Sequence, residues 1–273
     1  MGNKKIRIGI IGCGAIGSQL AGAIKNNFSE QAELFAICDI DRDKAENLKA
    51  DFSLGPEVLL IDELIERSEL IIEAASAKIS YEVAQKALAA GKNVIIMSVG
   101  GILDRYEELR ALARDAGGHI YLPSGAVAGL DAVKAASMVR VNKVTLTTRK
   151  PPQGLAGAPY LAEKNIDLSA IKEETVIFEG DASEAIKGFP QNVNVCATLS
   201  LAGIGPKKTR VKIIASPEYK TNIHEIEAEG DFGRLFARTE NLPFPQNPRT
   251  SFLASLSAIA TLRNILDVVK IGT

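Results

Sequence analysis

Three glycines near the start of the chain have the spacing of a dinucleotide-binding turn. Gly12, Gly14 and Gly17 form the pattern G-x-G-x-x-G between an apolar run and a segment of helical periodicity, which predicts a strand, a turn and a helix. In that setting the first glycine permits the tight turn, the second lets a pyrophosphate approach the backbone, and the third lets helix and strand pack closely. Ala15 and Ile16 begin the predicted helix, whose free N–H groups are expected to face the phosphates.

The acid at the end of the second predicted strand completes this pattern. Asp39 lies 22 residues beyond Gly17, where a carboxylate accepts the hydroxyls of an adenine ribose. The sequence therefore predicts NAD as the cofactor. Arg42 follows three residues later and is placed to neutralise a 2′-phosphate, so some use of NADP is also expected. The complete set of elements favours a nucleotide site over a glycine-rich turn that binds nothing.

His224 is the candidate for acid–base chemistry, because it is one of only two histidines in the chain. It lies in a segment, 221–229, whose alternation predicts a strand with three glutamates on one face and His224 on the other, covered face. A neutral imidazole with an ordinary pKa of about 6.5 takes a proton from a substrate ammonium or from water. A structural histidine that is hydrogen-bonded beneath the sheet is an equally open interpretation. His119 begins a predicted parallel strand at the end away from ligands, which indicates a structural role.

Polar residues in two further segments are candidates for substrate binding. Asn192 and Asn194 occupy the first turn of a helix predicted to begin near Pro190, where the helix dipole attracts anions; ordinary capping is the alternative. Arg149 and Lys150 end a predicted strand, and either side chain is suited to a carboxylate. A solvated strand edge is the alternative for each of these two cations.

The first half of the chain alternates between predicted strands and helices, which indicates parallel βαβ units. Ligands of such sheets lie beyond the carboxyl ends of the strands. Those ends place Ala75, Ser76 and Ser98 beside the glycine turn, and we expect them to contact the cofactor. Asp104 and Glu107 have the spacing of a capping box for the following helix.

The second half of the chain differs in texture. Polar and apolar residues alternate along its predicted strands, as in a sheet with one open face. The loop 151–159 is rich in glycine and proline and is expected to be a mobile flap. An apolar helix from Thr250 is expected to return to the first domain. The predicted fold is α/β, an N-terminal Rossmann-type parallel sheet with a second α+β domain on a mostly antiparallel sheet. The predicted domains are 1–123 with 246–273, which binds the dinucleotide, and 124–245, which binds substrate.

Composition excludes several classes of function. The chain has 273 residues, 46% of them hydrophobic, and a net charge of −1, which gives no basic surface for nucleic acid. The longest apolar runs are too short to span a membrane. Three widely spaced cysteines are typical of reduced core thiols in a cytoplasmic protein, and no pattern of metal ligands is present.

Several of these segments together resemble the L-aspartate dehydrogenase family. The segments are Gly12-Cys-Gly-Ala-Ile-Gly17, Glu73-Ala-Ala-Ser76, Ser124-Gly-Ala-Val-Ala-Gly129, Arg149-Lys-Pro-Pro152, Asn192-Val-Asn-Val-Cys-Ala-Thr-Leu199 and the strand around His224. The resemblance implies a homodimer that oxidises L-aspartate through iminoaspartate with NAD(P), which can feed NAD biosynthesis. It also implies that His224 is the active-site histidine and that Ala128 and Asn194 contact the cofactor. Cys13 departs from the family's pattern at a position expected to pack inward.

Other functions of a two-domain reductase are the alternatives. A dihydrodipicolinate reductase is expected to have paired histidines and a nearby lysine, which this sequence lacks. A glucose-fructose oxidoreductase is expected to have Glu-Lys-Pro after the fourth strand, where this chain has Ser98-Val-Gly-Gly. A nucleotide-binding redox sensor without catalysis is the alternative from a different class.

Overall fold

The computed structural model describes residues 4–52, 55–190, 194–244 and 247–272, with the side chains of 247–250 left out. The chain divides into two compact units. The first consists of Met1–Pro123 and Ala258–Lys270, and the second of Ser124–Ser257 and Ile271–Thr273. No helix in the described ranges has the length and apolar character needed to cross a membrane.

The first unit is built on a six-stranded parallel sheet in the order β3-β2-β1-β4-β5-β6. Its strands are β1 Ile6–Ile11, β2 Ala32–Cys38, β3 Glu57–Val58, β4 Leu70–Glu73, β5 Asn93–Ile96 and β6 Ile120–Tyr121, and its helices are α1 Ala15–Asn27, α2 Arg42–Ala50, α3 Ile61–Arg67, α4 Ala77–Ala89 and α5 Tyr106–Ala116. This strand order, which reverses between β1 and β4, is that of a dinucleotide-binding fold.

The core of the first unit forms where the apolar stripe of α1 packs on β1. Leu20 and Ile24, spaced four residues apart, are fully buried there with Ile8 and Ile10 of the strand. Ala258 and Leu262, from a helix near the end of the chain, belong to the same core. The local spacing that predicted α1 therefore also fixes the position of the glycine turn at its N-terminus.

The second unit is built on a five-stranded sheet in the order β11-β10-β7-β9-β8, in which β7 and β9 are parallel and the other pairs antiparallel. Its strands are β7 Val141–Lys150, β8 Thr175–Asp181, β9 Arg210–Ala215, β10 Asn222–Gly230 and β11 Gly233–Asn241, followed by the two-stranded pair β12 Pro243–Phe244 and β13 Asn247–Ser251; its helices are α6 Leu130–Ala136, α7 Pro159–Glu163, α8 Ala182–Gly188 and α9 Asn194–Ala202, and α10 Phe252–Leu266 begins in this unit. The predicted fold class is confirmed.

The register of the second sheet separates two chemically different faces. Val144 and Leu146 of β7 and Ile226 of β10 lie on the face that packs into the core of the unit. Glu225 and Phe236, which belong to the alternate set of positions, lie on the opposite face. Because side chains alternate along a strand, this register decides which polar residues meet.

Two local predictions are wrong. Helix α5 begins after Arg105 without a side-chain cap, because a turn of 3-10 helix, Leu103–Arg105, precedes it. The loop 151–159 is not a free flap, because a 3-10 turn there buries Leu155 completely in the core of the second unit. A capping box that the sequence analysis overlooked joins Asp181 and Glu184 at the start of α8.

Candidate functional site

The glycine turn of the first unit has the shape that a pyrophosphate requires. Gly12 has a φ of +102°, and a Cβ there would lie 2.5 Å from the carbonyl oxygen of Ala74. A Cβ on Gly17 would lie 1.9 Å from the carbonyl oxygen of Gly12. A Cβ on Gly14 meets no heavy atom within 4 Å among the described residues. The first and third glycines are therefore needed for packing, while the second faces open space at the N-terminus of α1.

The carboxylate of Asp39 is held beside this turn by backbone N–H groups. Its Oδ2 accepts a hydrogen bond of 2.7 Å from the N–H of Cys13, and its Oδ1 accepts one of 2.9 Å from the N–H of Asp41. A carboxylate has about four lone-pair sites, so each oxygen keeps capacity for a ligand hydroxyl. Arg42 is mostly exposed and its guanidinium lies 3.6 Å from Glu46, one turn along α2.

A carboxylate that the sequence analysis did not select organises the ends of β4 and β5. Glu73 is fully buried and accepts hydrogen bonds of 2.9 Å from the N–H of Ala75 and from both the N–H and the hydroxyl of Ser98. The N–H of Ser76 is a further donor. Burial raises the pKa of Glu73, and these hydrogen bonds oppose that effect. Ala75, Ser76 and Ser98 are thus gathered around one side chain. The one signal of Glu73 in the sequence is an acidic residue at the end of an apolar strand.

His224 lies in a buried polar cluster on the core-side face of the second sheet. Its Nδ1 is 3.0 Å from the hydroxyl of Thr148, which is directly opposite on β7. The side chain is only 4% exposed, and burial together with the charge of Lys150 lowers the pKa of His224 to about 3. The ordinary pKa of about 6.5 that the sequence analysis used is therefore wrong for His224, because the covered face on which it lies is almost completely shielded from water. The imidazole is neutral at every physiological pH.

Lys150 lies on the same face as His224, two positions beyond Thr148. It is 5% exposed, and burial lowers its pKa to about 8. A lysine ammonium donates charge-assisted hydrogen bonds, so this residue is suited to an anionic ligand. Arg149 projects to the opposite face, where its guanidinium is paired with the carboxylate of Glu225. The structure therefore brings Lys150, and not Arg149, together with His224.

The small-residue loop 124–129 is hydrogen-bonded to the end of β11, which pairs with the start of β10, the strand of His224. The carbonyl oxygen of Ala126 accepts hydrogen bonds from the hydroxyl of Thr239, at 2.8 Å, and from the amide of Asn241, at 3.0 Å. The same amide donates to the carbonyl oxygen of Asn222, two residues before His224. These hydrogen bonds hold the loop beside the two strands, and Ala128 is exposed within it.

The two candidate asparagines differ in what the structure describes. Asn192 lies outside the described residues. Asn194 is the first residue of α9 and is exposed, and its carbonyl oxygen accepts a hydrogen bond from the hydroxyl of Thr198. Asn194 is thus at a helix N-terminus, as the sequence predicted, although the described helix begins four residues after Pro190.

The cysteines and the acidic side chains of the described residues are expected to have no role as metal ligands. The three cysteines are buried thiols without a disulfide, and burial raises the pKa of Cys13 to about 12, which leaves it protonated and unreactive. Across the described ranges, no cluster of three or more His, Cys, Asp or Glu side chains is arranged to hold a metal ion.

Comparison with protein families assigns each half of the chain. Residues 131–265 match the family model described as aspartate dehydrogenase, C-terminal. Residues 12–123 match the one described as homoserine dehydrogenase, NAD binding domain. The first match includes the cluster around His224, and the second includes the glycine turn and Asp39.

Curated and solved relatives cover the chain almost completely. The L-aspartate dehydrogenase of Methanosarcina acetivorans is 50% identical over 98% of this chain and 100% of its own length. The L-aspartate dehydrogenase of Bradyrhizobium diazoefficiens is 40% identical over 99% of this chain and 95% of its own. The crystal structure of aspartate dehydrogenase from Thermotoga maritima, 27% identical, matches 98% of this chain and 100% of its own with a TM-score of 0.77.

Proposed function

This chain belongs to the L-aspartate dehydrogenase family, and from that premise we propose that it catalyses the oxidative deamination of L-aspartate with NAD. Cα of the substrate loses a hydride and the amino group loses a proton, which gives iminoaspartate. Water then hydrolyses the imine to oxaloacetate and ammonium. The same groups serve the reverse, reductive amination. The observation that carries the proposal is that His224 and Lys150, both buried, lie on one face of the second sheet.

The residues of the first unit fit NAD. The open space at Gly14, the free N–H groups of α1 and the carboxylate of Asp39 match the pyrophosphate and the adenine ribose. We assign Ala15, Ile16, Ala75, Ser76 and Ser98 to the same site. For Ala128 and Asn194, contact with the cofactor is proposed on the family resemblance alone. When bound, the nicotinamide supplies the hydride acceptor.

Lys150 and His224 have different roles toward the substrate. The ammonium of Lys150 binds a substrate carboxylate through charge-assisted hydrogen bonds. We assign this role to Lys150 rather than to Arg149, whose charge Glu225 already neutralises. Asn192 stays a prediction for the second carboxylate.

His224 is the proposed base for the amino proton. In the tautomer whose Nδ1–H donates to the Thr148 hydroxyl, the neutral ring keeps a lone pair on Nε2, but in the absence of substrate its affinity for a proton is low. A bound dicarboxylate places negative charge beside Lys150 and His224, which opposes one cause of the lowered pKa. The histidine is therefore a better base when substrate is present, and Thr148 holds the ring in place.

The finer aspects of function rest on the family and on single residues. Asp39 favours NAD, and the exposed Arg42 gives some use of NADP. A homodimer is supported by the resemblance and by the half-exposed Phe236 and Val176 of the second unit, and light scattering measures it. The use of iminoaspartate for NAD biosynthesis rests on the resemblance alone.

A substrate screen tests the proposal directly. Reduction of NAD is followed at 340 nm with L-aspartate, L-alanine, L-lysine and L-malate as the matched set. L-Aspartate is expected to be the best substrate, and malate a poor one because it has no amine for His224 to deprotonate. Faster turnover of alanine, lysine or malate contradicts the proposal, and no reduction with any of them favours a non-catalytic sensor.

A further inference from the structure

The carboxylate of Glu73 is a buried charge without a cationic partner. Its side chain is fully buried, and within the described residues no ion pair includes it. Its contacts are the N–H groups of Ala75, Ser76 and Ser98 and the hydroxyl of Ser98. Every one of these contacts is a donor and favours the ionised carboxylate, which opposes the rise in the pKa of Glu73 that burial causes. A buried carboxyl group held only by neutral donors is costly for folding, which indicates that it has a function.

The position of Glu73 in the sheet identifies the half of the cofactor that it serves. Sheets with this strand order bind the two halves of a dinucleotide on either side of the point where the order reverses, between β1 and β4. Asp39 at the end of β2 is assigned to the adenosine half. On the other side, Glu73 is the last residue of β4 and Ser98 lies just after β5. We therefore assign the nicotinamide half to these two residues.

We propose that Glu73 is a positioning residue that shapes the nicotinamide side of the cofactor site and, through its negative charge, favours oxidised NAD over the reduced form. The inference rests on the proposed placement of the cofactor. The nicotinamide ring is a cation when oxidised and neutral when reduced, so a nearby buried anion stabilises only the oxidised form. The hydrogen bonds of Glu73 also fix the backbone of Ala75 and Ser76 at the carboxyl end of β4.

Binding measurements on Glu73→Gln separate these effects. The amide keeps the shape of the side chain but removes the charge and turns a donor toward the N–H groups. Calorimetric titration with NAD, NADH and ADP-ribose is expected to show NAD binding weakened by about tenfold or more. NADH binding is expected to weaken less, and ADP-ribose binding to stay within about twofold, because ADP-ribose lacks the nicotinamide.

Two further variants make the result specific. Glu69→Gln makes the same chemical change at the opposite end of β4, where Glu69 pairs with Lys4, and it is expected to bind all three ligands normally. Glu73→Asp keeps the charge on a shorter side chain, so it is expected to weaken NAD and NADH together and to keep their ratio. This variant also tests the inference if Glu73→Gln does not fold.

The outcomes distinguish this inference from the proposed function. If Glu73→Gln binds all three ligands like the unchanged protein, or weakens all three equally, the inference is wrong even when L-aspartate is oxidised. An altered ratio of NAD to NADH affinity in Glu73→Asp also overturns it. If the unchanged protein binds NAD but does not oxidise L-aspartate, the proposed function fails and the role of Glu73 is still decided by the binding ratios.

Discussion

Replacing Lys150 by Met is expected to stabilise the fold while it abolishes carboxylate binding. Burial lowers the pKa of Lys150 from 10.5 to about 8. At about 1.4 kcal/mol per pH unit, this corresponds to roughly 3 kcal/mol of stability lost at neutral pH. Methionine fills a similar volume without a charge, so Lys150→Met is expected to raise the free energy of unfolding at pH 7 by up to about 3 kcal/mol.

The pH dependence of this difference identifies its cause. Between pH 8 and 10.5 the unfolded chain still binds a proton at Lys150 and the folded chain does not, so the stability of the unchanged protein rises with pH. The advantage of Lys150→Met is therefore expected to shrink over that range. Urea unfolding at pH 7, 9 and 10.5 measures the difference in stability between Lys150→Met and the unchanged protein. The control is Lys143→Met, at an exposed position of the same strand, which is expected to change stability by less than about 0.5 kcal/mol. A variant that is less stable at pH 7, or a difference that does not vary with pH, refutes the reasoning.

Three further predictions concern catalysis and binding. His224→Ala is expected to lower kcat by roughly a hundredfold. It is also expected to cost about 1–3 kcal/mol of stability, because the Thr148 hydroxyl loses this partner. An unchanged kcat, measured beside His119→Ala as the control, would show that His224 is structural. Asp39→Ala is expected to move the ratio of kcat/KM for NAD and NADP toward NADP, and an unchanged ratio would place Asp39 away from the ribose. The Ki of succinate, which has no amine, is expected to rise about tenfold per pH unit above about pH 8, because Lys150 loses its proton there. In Lys150→Arg the guanidinium remains charged, so the Ki is expected not to change with pH. A Ki that rises equally in both proteins assigns the pH effect to another group.

The features that depend on local spacing were predictable from the sequence. The apolar stripe that includes Leu20 and Ile24, the three glycines and the terminal Asp39 lie close together in the chain, and the structure has them as expected. The alternation of β10 likewise placed His224 opposite its neighbouring glutamates, because that inference needs only one strand.

The features that depend on pairing between distant strands were not predictable in this way. Arg149 and Lys150 are adjacent, and only the register of β7 against β10 shows which one shares a face with His224. The sequence placed His224 on a covered face, but how completely it is buried, which lowers its pKa, depends on the packing of the folded chain. Glu73 was overlooked because a carboxylate at the end of a strand is usually solvated, and its burial depends on loops after two different strands.

The hydrogen bonds to the carbonyl oxygen of Ala126 have a consequence for the order of folding. Thr239 and Asn241 reach that oxygen across 113 and 115 residues of chain. We expect contacts at such separations to form late, because the entropy cost of closing a long loop comes before the favourable energy of the contact. The loop 124–129 therefore acquires its shape only after β10 and β11 have paired. In refolding from denaturant, we expect activity to return no faster than this second sheet forms, however early the first unit has folded.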